Sequence, residues 1–69
     1  MTQLERIKRE ISEITNPIEM AGYLDGIRVS ASLYCRNNYP EEAVIEDGKL
    51  KDVTICGMCR FLESNTESE

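Results

Sequence analysis

The sequence predicts an α+β fold: an N-terminal amphipathic helix packed on a small antiparallel β-sheet, zinc-stapled, with a short C-terminal helix. Three observations lead there. Apolar residues recur at helical spacing near the start, they alternate with a period of two after Ile27, and three cysteines occur in a chain without histidine. At 69 residues there is room for one domain, and a chain of this size buries only about 60% of its unfolded surface. Such a core contributes about 3–5 kcal/mol. A structural zinc site adds roughly 10–16 kcal/mol of binding energy that is also folding energy. That difference makes the cysteines the expected staple of a single domain over 1–63, followed by an acidic flexible tail over 64–69.

Thr2-Gln3-Leu4-Glu5 has the form of a capping box, with Thr2 as N-cap and Glu5 reaching back. Leu4, Ile7, Ile11 and Ile14 then form one apolar stripe on a helix. Asn16 precedes Pro17, which disfavours helical geometry there and predicts a helix end near Thr15. Residues 17–26 fit two descriptions. Asn16-Pro17 can cap a second short helix stopped by Gly26, or Asp25-Gly26 can turn a hairpin from a strand near Met20–Leu24. Gly22 favours the hairpin slightly.

Beyond it, Ile27, Val29, Ala31, Leu33 and Cys35 alternate with Arg28, Ser30, Ser32, Tyr34 and Arg36, the pattern of a half-buried strand. In that register the Cys35 sulfur faces the core and Tyr34 faces outward. Asn37-Asn38-Tyr39-Pro40 ends the strand. Ala43–Ile45 and Leu50–Ile55 flank Glu46-Asp47-Gly48-Lys49, in which Asp-Gly is a strong hairpin signal. Arg60-Phe61-Leu62-Glu63 begins the C-terminal helix.

The net charge of −5 is unevenly placed. Residues 1–36 balance Arg6, Lys8, Arg9, Arg28 and Arg36 against Glu5, Glu10, Glu13, Glu19 and Asp25, so the excess lies in residues 37–69. Phosphate backbones select basic surfaces, which tells against direct nucleic-acid binding. An acidic half suits a basic protein partner. No apolar run approaches about 18 residues and no charged-then-apolar leader opens the chain, so a soluble cytoplasmic protein is expected. A reducing compartment and an odd cysteine count favour metal over disulfides.

Cys35, a hairpin, and then Cys56-Gly57-Met58-Cys59 before a helix form an order of elements that resembles a treble-clef zinc site. The resemblance covers about residues 33–63 and implies that Cys35, Cys56 and Cys59 hold zinc. Asn38 stands where the second knuckle cysteine would be, so the fourth ligand falls to a carboxylate (Glu41, Glu42, Asp52 or Glu63), to water or to another chain. Strand, Cys-Gly-Met-Cys and helix are also similar to the thioredoxin-type motif, but only ten residues follow Cys59 and the rest of that scaffold is missing.

No catalytic constellation stands out, so an enzyme is not expected. The chain reads as a small binding protein with an interface as its product. In size, acidity and lack of catalytic residues it resembles small phage-encoded anti-CRISPR inhibitors. That resemblance implies occupation of a basic surface on an RNA-guided effector nuclease, in the host cytoplasm. Glu41, Glu42, Glu46, Asp47 and Asp52 are the expected contacts, with Tyr34 and Tyr39 as interface anchors and a monomer as the expected state. The alternative is a nucleic-acid-binding zinc module, a small transcription regulator that sets its Arg and Lys residues against phosphates.

Overall fold

Why the middle of this chain is helical is the main question its fold poses. In a computed structural model describing residues 1–65, helix α1 (Gln3–Ile11) leads into a long helix α2 (Pro17–Asn38). A single 3₁₀ turn (Pro40–Glu42) precedes strands β1 (Ala43–Glu46) and β2 (Lys49–Val53), and helix α3 (Ile55–Glu63) follows. The class is α+β, with three helices and one two-stranded antiparallel sheet.

The capping box forms as expected: the Thr2 hydroxyl accepts from the Glu5 amide and the Glu5 carboxylate accepts from the Thr2 amide at 2.7 Å. Helix α1 ends at Ile11, a turn earlier than the proline signal suggests. The Glu13 and Ile14 amides bond three residues back, to Glu10 and Ile11, and this tighter winding unravels the last turn.

Between Met20 and Cys35 the structure corrects the sequence reading. The hairpin at Asp25-Gly26 and the strand from Ile27 to Cys35 are both parts of one 22-residue helix. The same stretch of chain also carries a helical set: Met20, Tyr23, Ile27 and Ala31 recur every three or four residues, and Tyr34 and Cys35 follow Ala31 at three and four. Asn16 decides the start, because its carboxamide oxygen accepts from the Ile18 and Glu19 amides while Pro17 occupies the first turn. A helix satisfies its own backbone, whereas a strand here would have needed a second ladder beside that of β1 and β2. The cost falls on the surface. Val29 stays 56% exposed and Leu33 40%. Gly22 and Gly26 each weaken the helix by about 1 kcal/mol relative to alanine.

Helix α2 spans about 33 Å, close to the 36 Å long dimension of the molecule. It contacts β1, β2, the 3₁₀ turn and α3, and α1 packs on α3. The core is thin. Ile7, Ala31 and Phe61 are buried, with Ile11, Tyr23, Ile27, Tyr34, Val53, Met58 and Leu62 around them. At the hairpin tip Asp47 and Gly48 have φ of 53° and 75°, so both central residues are left-handed, as a type I′ turn requires. A register irregularity follows Val44, after which Ile45 opposes Leu50.

Helix α3 begins five residues before the expected Arg60, so Cys56 and Cys59 both lie within it. The Thr54 hydroxyl caps it by accepting from the Gly57 amide at 3.0 Å. Ser64 and Asn65, assigned by sequence to the tail, close the fold: the Gln3 amide donates to the Ser64 carbonyl at 2.8 Å, and Thr2 bridges to Asn65. The remainder of that expected tail lies outside the described residues.

Helix α3 meets α2 at Gly57, which is buried. A Cβ there would lie 2.6 Å from Val53 Cγ2, 2.8 Å from Glu42 Cβ and 2.9 Å from Cys35 Sγ. Gly57→Ala should therefore destabilise the fold by about 1–3 kcal/mol, an overpacking cost read as a lower urea midpoint at unchanged m-value. An unchanged midpoint would show that the two helices can separate freely.

Candidate functional site

The surface around the α2–α3 crossing gathers most of the residues singled out by sequence, but gives them unequal roles. Cys35 is wholly buried, and its thiol donates to the Gly57 carbonyl at 3.3 Å. Burial pushes the Cys35 thiol above its ordinary value, and the Glu42 carboxylate adds to the effect, so it is a protonated donor at neutral pH. Cys56 and Cys59 are exposed on α3, and three residues apart they share a face.

Zinc would need four donors around one point, with sulfurs near 2.3 Å. The thiolate it binds is the form that the Cys35 pocket disfavours. Among the described residues, no three cysteine or acidic side chains come together as a ligand set. The knuckle expected over Cys35–Asn38 is the last turn of helix α2, and the Asn38 carboxamide donates to the Tyr34 carbonyl at 2.9 Å.

The acidic residues divide in two. Glu42 accepts from the Thr54 hydroxyl and lies 3.9 Å from the Arg60 guanidinium, tying the 3₁₀ turn to α3. Asp52 is bound by Arg28, with Nη2–Oδ2 at 2.6 Å and Nε–Oδ1 at 3.4 Å, and also accepts from the Val53 amide. The Arg28 hydrogen bond, then the Val53 amide, hold the Asp52 carboxyl below its ordinary value. These two are structural contacts between elements. Glu41, Glu46 and Asp47 are exposed and, among the described residues, in no ion pair.

Tyr34 and Tyr39 are half-buried in an aromatic cluster rather than standing on a sheet face. Tyr34 meets the Phe61 ring edge-on at 5.7 Å and Tyr39 at 6.0 Å, and the Arg60 guanidinium lies 4.3 Å from the Tyr39 ring centre. Arg60 thus joins an aromatic ring and a carboxylate, a role that sequence reading missed. The spacing of Glu42 and Arg60 holds no local pattern to reveal it. On the other side of α2, a groove of about 360 Å³ is lined by Arg6, Tyr23, Ile27 and Phe61, beside Gly22 and Gly26. The Tyr23 hydroxyl donates to Glu10 there, joining α2 to α1.

No family model, curated protein or solved structure matches this chain. Its class is defined by fold and surface alone. Among the described residues no helix is long and apolar enough to cross a membrane.

Two predictions follow from this geometry. In native protein a thiol reagent should modify Cys56 and Cys59 at once and Cys35 only as the fold opens. Three slow thiols that become fast on adding a chelator would instead establish the zinc site expected from the spacing. The second concerns acid. A carboxyl whose folded-state value is depressed stabilises the fold above its unfolded value, and that stabilisation is lost as pH falls through the folded value. Melting temperature should therefore drop as pH falls below the ordinary aspartate value of about 3.9. Asp52→Asn should start from a lower neutral-pH melting point and show a shallower drop. Identical pH profiles would show that the Arg28 pair contributes nothing in solution.

Proposed function

We propose that this chain is a small binding protein whose exposed carboxylates engage a basic surface on a protein partner and block it. The observation that supports this is the division among the acidic residues. Glu41, Glu46 and Asp47 present exposed charge at the 3₁₀ turn and the hairpin tip, with no ion pair among the described residues. A rigid type I′ turn holds the last two, so little ordering entropy is lost on docking. Lys49 and Lys51 stand beside them on β2 and give the edge a mixed-charge pattern that favours orientation as well as attraction.

Two of the basic residues are withheld from a phosphate backbone. Arg6 lies 3.9 Å from Glu10 and Arg28 is held by Asp52, so both are engaged within the chain. The partner chemistry that suits such an edge is a protein with a basic groove. The nucleic-acid channel of an RNA-guided nuclease, implied by the resemblance to anti-CRISPR inhibitors, is such a groove.

The test uses a purified, guide-loaded RNA-guided nuclease, with association followed at low and high salt. Wild-type protein should bind and slow cleavage. The variant Glu41→Lys, Glu46→Lys, Asp47→Lys, once circular dichroism shows an intact fold, should associate about tenfold more slowly at low salt. The two should converge at high salt as charges are screened. Absence of wild-type binding overturns this target. Equal association by the variant overturns the acidic surface.

A further inference from the structure

The exposed face of α2, which meets the groove of Arg6, Tyr23 and Phe61 along Gly22 and Gly26, carries a pattern that no other element of the single chain covers. Glu19, Gly22, Gly26, Val29, Leu33 and Arg36 follow one another at spacings of three and four, the repeat of a helix–helix seam. All six are exposed. A Cβ at Gly22 or Gly26 would meet nothing within 4 Å, so the single chain gives neither glycine a steric reason, in contrast to Gly57. Val29 and Leu33 leave large apolar side chains in water on the same stripe. Glu19 and Arg36, at its two ends, enter no ion pair among the described residues.

We infer that this face docks a second copy of the chain, with the two α2 helices antiparallel about a two-fold axis near Ile27 and Arg28. The order of residues selects that arrangement. Turning α2 end for end about this midpoint sets Gly22 opposite Leu33 and Gly26 opposite Val29. Each large side chain then enters the gap left by a glycine, and the glycines let the backbones approach closely. The same reversal sets Glu19 opposite Arg36 at both ends of the seam, so the contact is complementary in charge as well as shape. A parallel pairing in register would instead place glycine on glycine, Glu19 on Glu19 and Arg36 on Arg36. A two-fold contact requires a self-complementary patch, and the antiparallel seam supplies one. The acidic residues of the 3₁₀ turn and hairpin lie outside this stripe, so a dimer presents them twice.

Sedimentation equilibrium from micromolar to millimolar protein tests this directly. A monomer–dimer equilibrium is expected. Glu19→Arg and Arg36→Glu should each weaken it about tenfold or more, because like charges then face one another. The double variant should return to within a few-fold of wild type. Gly26→Leu should abolish the dimer by filling the gap that receives Val29, while its melting temperature at monomeric concentration is no lower than that of wild type. Protein that stays monomeric throughout overturns the inference. So does a dimer indifferent to both single reversals, and failure of the double variant to recover overturns the antiparallel register. Should a reversal disturb folding, as circular dichroism would show, Gly26→Leu decides: a dimer of undiminished strength then refutes the seam.

Discussion

The crossing of α3 over α2 at Gly57 is the constraint on which the rest of this fold depends. The missing side chain lets Cys35, Val53 and Glu42 converge on one backbone position. Thr54 connects the strand to the helix there, its hydroxyl accepting from the Gly57 amide and donating to Glu42. Once α3 lies this close, Phe61 one turn further on reaches the core beside Ala31 and Ile7. The Arg60 guanidinium is then placed over Tyr39 and near Glu42. Helix, hairpin and 3₁₀ turn are thus fixed to one another through a small polar and aromatic junction, where the apolar core itself is minimal.

A thin core has a consequence at the surface. Helix α2 is long enough to be the spine of the molecule, yet the other elements cover only one side of it. Its opposite side keeps Ile18 at 82% exposure as well as Val29 and Leu33. Burial of such side chains is worth about 1.5–3 kcal/mol each, a large share of the stability available to a domain of this size. A second copy of α2 can cover part of that face without disturbing the junction at Gly57, because the two surfaces lie on opposite sides of the helix.

Charge is distributed by the same geometry. Asp52 and Glu42 join elements through Arg28 and Arg60, while Glu41, Glu46 and Asp47 are left to solvent. Composition counts all of these residues alike. The fold separates carboxylates that hold the structure from carboxylates free to meet a partner, and the binding function proposed here rests on the second group.

Local signals were legible in the sequence where a few adjacent residues settle the backbone. The capping box at Thr2, the Asp47-Gly48 turn with its flanking strands, and the short C-terminal helix all follow from chemistry within a few residues. Part of the candidate surface was legible too, since turn residues such as Glu46 and Asp47 are exposed wherever the turn forms. The middle of the chain was not, because residues 27–35 satisfy both a period of two and a period near 3.6. Only tertiary packing chose between them: α2 needed Ala31 and Cys35 on one face to receive α3, and Ser32 beside them. Cys35 was read as core-facing and is buried, but its Gly57 partner and the places of Glu42, Asp52 and Tyr34 were beyond sequence reading, since those partners lie on other elements and no local pattern encodes the pairing. Turns and caps are set by neighbours along the chain, and the roles of the thiols and carboxylates by neighbours across it.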